Sequence, residues 1–168
     1  MIIEKLLNRI DLLSEWGGKS VYTIVLIAGF FLCVEVVARY IFNNPIVWIP
    51  MATSLLCAIF YFMIGAYTLL FKSHVGMDIF SSKLSQKSQN ILEILLFPLF
   101  ALFIVVLLWG GYSEMIFSVK IRETMPPPWY GPLWPGKIFM VLGTFLILLQ
   151  GIANLLRNIL ALFGGGEP

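Results

Sequence analysis

Residues 20–48 read SVYTIVLIAGFFLCVEVVARYIFNNPIVW, and this stretch decides the fold. From Ser20 to Val34 no side chain is charged, and the apolar run continues past Glu35 and Arg39 to Phe42. At about 1.5 Å per residue a helix of that length crosses the roughly 30 Å hydrocarbon core of a bilayer. Asn43-Asn44-Pro45 then ends it, because proline disfavours helix in the residue before it and cannot donate to a helical ladder. Working outward, comparable runs recur, and the chain reads as a single membrane domain over 1–168 with spans at about 20–42, 47–71, 91–115 and 135–158. The expected fold class is therefore an all-α integral membrane protein with four transmembrane helices.

Composition supports the same reading. Of 168 residues 60% are hydrophobic and 12% charged, with a mean hydropathy of +0.93, whereas soluble domains carry about 25% charge. The excess apolar surface must face lipid or a partner. Eleven Lys and Arg against nine Asp and Glu leave a net charge of +2, and the cations are scattered singly. A basic stripe for nucleic acid is absent, so none is expected as a partner.

Orientation follows from loop charge. If the N-terminus is cytoplasmic, that side collects Lys5, Arg9, Lys19, Lys72, Lys83, Lys87 and Arg157, while the other side holds only Arg39, Lys120, Arg122 and Lys137. Both termini are thus expected in the cytoplasm, and the Pro- and Trp-rich stretch from Met125 to Pro135 in the periplasm. Trp48, Trp109, Trp129 and Trp134 fall near the outer span ends, where amphipathic rings favour the headgroup level.

Ahead of the first span, Glu4, Asn8, Asp11 and Glu15 form one polar stripe, with Ile3, Leu6, Leu7, Ile10 and Leu13 opposite. This pattern predicts an amphipathic helix over 1–17 lying in the membrane surface and bending at Gly17-Gly18; a plain extension of the first span is the alternative. No signal-peptide cleavage site follows, so the first span is expected to remain as an anchor. Between spans two and three, Met77, Phe80 and Leu84 recur at helical spacing and predict a second short surface helix.

Few residues offer chemistry. Glu35 and Arg39 stand four apart within a span, in the order that favours an ion pair, and self-neutralisation or subunit docking is the leading reading over proton or ion translocation. His74, the single histidine, precedes Asp78 by one turn, which suits a surface cap or a partner contact. Glu93 and Glu114 read as solvated span ends. Cys33 and Cys57 read as buried small hydrophobes, far from any zinc spacing. Nucleophile elbows, zinc-protease helices and phosphate loops are all missing. No catalytic, substrate-binding or metal-ligating residue is assigned, no cofactor is expected, and the chain is not expected to be an enzyme.

Arg39-Tyr40-Ile41-Phe42-Asn43-Asn44-Pro45-Ile46-Val47-Trp48 resembles the Arg-Tyr-x-Phe-Asn-x-Pro-x-x-Trp signature of the small Q-type (DctQ-like) membrane subunits of tripartite ATP-independent periplasmic (TRAP) transporters. His74-Val75-Gly76-Met77-Asp78 is similar to the family's His-x-x-x-Asp. Leu133-Trp134-Pro135-Gly136-Lys137 and Leu148-Leu149-Gln150-Gly151 are similar to the borders of its fourth span. Where many members carry an acidic residue shortly after the Trp, this chain has Pro50 and Met51, so a contact through that carboxylate does not carry over. The resemblance implies a division of labour in the bacterial inner membrane. A large membrane subunit holds the sodium and substrate sites, a periplasmic solute-binding protein delivers a carboxylate-type solute, and the Q-type chain braces the stationary part and aids docking. Glu35, Arg39, Tyr40, Asn43, Pro45, Trp48, His74, Asp78, Trp134, Pro135 and Gln150 are then candidates for partner contacts or structural roles, with membrane lipid as the remaining partner. The rival reading is a stand-alone four-helix proton-coupled exporter with Glu35 as proton carrier, which requires a central, unpaired carboxylate.

Overall fold

A computed structural model describes residues 2–71 and 86–163. Four long helices make up nearly all of it: α1 (Ile2–Tyr40), α2 (Trp48–Leu70), α3 (Gln86–Ile121) and α4 (Trp134–Phe163). Each is long and apolar enough to cross a membrane, as the sequence predicts.

The helix ends follow local chemistry. α1 stops where Asn43 takes a left-handed backbone (φ 49°), a conformation asparagine adopts more readily than most residues, and the Asn44 amide turns back to the Ala38 carbonyl at 3.0 Å. Pro45 then lies in the linker. Pro50 falls in the first turn of α2, where its missing N–H is one the helix could not have used. Pro135 occupies the equivalent place in α4. Pro98 is different: it lies inside α3, which runs on through it and surrenders one ladder bond.

One expectation changes. The segment 1–17 is not a separate helix, because α1 runs unbroken through Gly17-Gly18 to Tyr40. Two side chains account for this. Leu7 and Ser14 are buried, so the N-terminal part of α1 already packs on the bundle, and Gly18 lies against Tyr67 of α2.

In space the helices stand in the order α1, α2, α4, α3, with α1 also touching α4 along a short stretch. α4 occupies the middle: 28% of its most apolar window is buried, against 6% of the corresponding window of α3. Small residues let α4 approach its neighbours. A side chain at Gly143 would place its Cβ 2.5 Å from the Phe62 carbonyl oxygen of α2, so only hydrogen fits there. On the other side α4 meets α3 where Gly151 faces the Phe100 ring. The outward side of α3 leaves Leu95, Leu99, Leu102, Phe103, Val106 and Trp109 exposed, a surface that only lipid or another apolar protein face can cover.

Candidate functional site

The interior offers little polar chemistry at mid-height. There Thr144 donates its hydroxyl to the Met140 carbonyl (2.7 Å), and nearer the start of α2 Thr53 donates to the Ile49 carbonyl (2.8 Å), so each is satisfied by its own helix. Among the described residues, the remaining interacting polar groups gather mostly at the two ends of the bundle.

At the end where α1 begins and α4 finishes, Gln150 is fully buried and central. Its Oε1 accepts from Ser14 Oγ at 2.8 Å, and its Nε2 donates to Asp11 Oδ1 at 3.1 Å and to Asn154 Oδ1 at 3.3 Å. Arg157 pairs with the other oxygen of Asp11. Asn154 Nδ2 donates to the Leu69 carbonyl at 2.9 Å, which ties α4 to the last turn of α2. Asn158 donates to the Glu93 carboxylate, which brings in α3. The cluster around Gln150 thus joins α1, α2 and α4, and the separate Asn158–Glu93 pair ties α3 to α4 at the same end.

At the opposite end the pairs are local. Arg39 Nε and Nη2 both donate to Glu35 Oε1, at 2.8 and 2.6 Å, as the four-residue spacing predicts; Glu35 is 5% exposed while Arg39 is half-exposed. The pair is not central, because Phe31 already stacks edge-on against Trp48 at the start of α2 (centroids 5.8 Å), and Glu35 and Arg39 lie beyond it. Tyr40 is exposed and Trp48 partly so. Trp134 and Pro135 open α4 at this same end, since Gly136 lies against Leu55 in the second turn of α2.

Between α3 and α4 the chain forms a small hairpin. Arg122 takes a left-handed backbone (φ 49°), the Glu123 amide turns back to the Ser118 carbonyl (2.9 Å), Met125 N–H reaches the Gly131 carbonyl (2.8 Å) and Leu133 N–H reaches the Glu123 carbonyl (2.9 Å). Lys137 straps it down. Its Nζ donates to Glu123 Oε2 at 2.7 Å and to Glu114 Oε2 at 3.2 Å. The hydrogen bond from Lys137 holds the Glu123 carboxyl below the usual carboxylate range.

The sequence-predicted residues are therefore divided. Glu35, Arg39, Tyr40, Asn43, Pro45, Trp48, Trp134 and Pro135 share one end, and Gln150 lies at the other. His74, Asp78 and the amphipathic stretch Met77–Leu84 lie outside the described residues. Two readings need correction: Glu93 is not a bare solvated end but the acceptor for Asn158, and Cys33 is exposed on the outside of α1, with Cys57 only half-buried. Sequence reasoning gave Asp11 only a place on a polar stripe and Arg157 only a share of the loop charge, and it passed over Ser14 and Asn154. Their signal was the uneven return of polar residues on the last turns of α4, at 150, 154, 157 and 158, where a solvated helix end was the simpler explanation.

Among the described residues no three His, Cys, Asp or Glu side chains converge as a metal site. A groove of about 590 Å³ runs beside Pro98, lined by Leu96, Leu99, Phe100, Leu102, Phe103 and Val106. Those side chains carry no donor for a carboxylate.

The chain matches the model of a known protein family. The family described as "Tripartite ATP-independent periplasmic transporters, DctQ component" matches residues 11–161. No curated protein sequence matches the chain.

Proposed function

Because the chain belongs to the DctQ component family of the tripartite ATP-independent periplasmic transporters, and so is the small membrane subunit of such a transporter, we propose that it braces the large membrane subunit and aids docking of the solute-binding protein during sodium-coupled import of a carboxylate-type solute. The observation that carries the bracing role is where polarity sits. A transport pathway needs polar groups converging at mid-membrane. Here Thr53 and Thr144 spend their hydroxyls on their own helices, and the cluster around Gln150 spends its groups on holding helices together at one end.

Sodium and substrate sites belong on this reading to the large subunit, and the termini face the cytoplasm of a bacterial inner membrane with the α3–α4 hairpin in the periplasm. Charge placement supports that orientation. The exporter reading loses its premise, since Glu35 is engaged by Arg39 beyond the start of α2.

The test is reconstitution in liposomes. Solute flux should require this chain, the large subunit and the solute-binding protein together, and should follow a sodium gradient. Flux from the purified 168-residue chain alone, driven by sodium or protons, would overturn the bracing role and return Glu35 to the centre of the mechanism.

A further inference from the structure

Two rulers locate the α3–α4 hairpin relative to the bilayer. Along α3 the stretch between Glu93 and Glu114 is free of charge, and along α4 so is the stretch between Lys137 and Arg157. Each measures about 30 Å at 1.5 Å per residue, the thickness of a hydrocarbon core. The two are in register, because Lys137 bonds Glu114 at one end and Asn158 bonds Glu93 at the other. α3 nevertheless continues to Ile121, about 10 Å past Glu114, whereas the headgroup layer on one side is only about 5–8 Å deep. Lys120, Arg122 and the hairpin therefore stand at or beyond the outer limit of the lipid.

Three features of that projection belong together. Its backbone is closed by cross-hairpin bonds at Met125 and Leu133, and Trp129 packs over Gly131, so its shape exists before anything binds. Its exposed residues, among them Pro126, Pro127, Pro128, Tyr130 and Pro132, are mostly rings with little side-chain freedom to lose on contact. Its charge is sorted. Lys137 engages both nearby carboxylates, Glu114 and Glu123, while Lys120 and Arg122 are exposed with no ion-pair partner among the described residues.

We propose that this strapped hairpin is a preformed docking platform for an acidic surface of the water-soluble component, with Lys120 and Arg122 supplying the attraction and Lys137 acting as a positioning residue that holds the platform in shape. The proposal rests on the functional reading above and names the chemistry of its docking step. A soluble protein is favoured over lipid phosphate because by the α3 ruler the two free cations stand at or beyond the outer limit of the headgroup layer.

The experiment uses the complex of this chain with its large subunit in nanodiscs, titrated with the fluorescently labelled solute-binding protein of the same transporter at several salt concentrations. The double variant Lys120→Glu/Arg122→Glu should weaken binding by about tenfold or more and flatten its salt dependence. Lys137→Met should weaken binding more modestly, keep the salt dependence, and speed amide exchange at Met125 and Leu133. That last readout separates positioning from direct contact. If wild-type complex binds and the double variant binds equally well, the platform is overturned while the functional reading stands. A wild-type complex that ignores the solute-binding protein overturns both. If the double variant's defect appears only in nanodiscs containing phosphatidylglycerol and vanishes in neutral lipid, the cations serve lipid and the proposal falls.

Discussion

The two ends of this bundle solve the problem of polar groups in opposite ways. At the terminal end, amides and charges from different helices share one part-buried cluster around the buried Ser14–Gln150 pair, in which partners such as Ser14 and Gln150, or Asp11 and Arg157, lie more than a hundred residues apart in sequence. At the hairpin end each ion pair closes over a short stretch of chain, Glu35 with Arg39 and Lys137 with Glu114 and Glu123, and much of it stays exposed. Buried hydrogen-bond networks with every member satisfied make an arrangement specific, because loosening one member orphans the rest. Half-exposed pairs add little stability and leave neighbouring cations available. The contrast separates an end that holds the helices from an end that presents a surface.

The comparison breaks most readily from the middle. Gly143→Val would drive a Cβ into the Phe62 carbonyl and push α2 from α4, on which both ends depend, so it should cost about 3 kcal/mol and lower folded yield in lipid. Gly29→Ala, at a site with nothing within 4 Å, is the control and should be neutral or slightly stabilising. Unfolding by SDS titration in mixed micelles measures both. Gln150→Leu should sharpen the contrast. It orphans Ser14 Oγ and one oxygen of Asp11, at a cost of about 2 kcal/mol, while amide exchange in the hairpin stays unchanged.

Acidification should loosen the hairpin strap. Lys137 depresses the Glu123 carboxyl, so the strap's contribution is complete above the ordinary carboxylate value and is lost as pH falls through the lowered one. Protection of the Leu133 amide, corrected for its intrinsic exchange rate, should therefore be flat from pH 8 down to about 5 and decline only in stronger acid. Loss of protection near neutrality would mean that another group holds the hairpin. The smallest effect belongs to Lys19→Ala, which removes an exposed pair with Glu15 one turn away. Its unfolding midpoint should be indistinguishable from wild type.

Much of this architecture was legible in advance because hydrophobic run length and local spacing are properties of one helix at a time. Four spans, the Glu35–Arg39 pair and the turn at Asn43–Pro45 all follow from residues close together in the chain. The terminal cluster was not legible for the converse reason. Asp11 sits on a stripe with Glu4, Asn8 and Glu15 that reads as water-facing, and periodicity reports which residues share a face, never what stands opposite. Only the packing of α1 on α4 reveals that Asp11 and Ser14 meet Gln150 and Arg157. The length of α3 was underestimated likewise, since an expected end near 115 assumes that a helix stops where the lipid does, whereas this one runs to Ile121.

The central place of α4 also sets the order in which the molecule can be built. α1 and α2 can pair as soon as Leu70 has left the ribosome, but α3, made next, packs on a helix that does not yet exist. Until Trp134–Phe163 is synthesised, the nascent chain consists of a helical hairpin and a solitary third span drifting beside it, with Phe100 still without Gly151 and Glu93 without Asn158. The last helix to enter the bilayer is thus the keystone, and a translation arrest before Trp134 should leave fragments that insert but cannot assemble.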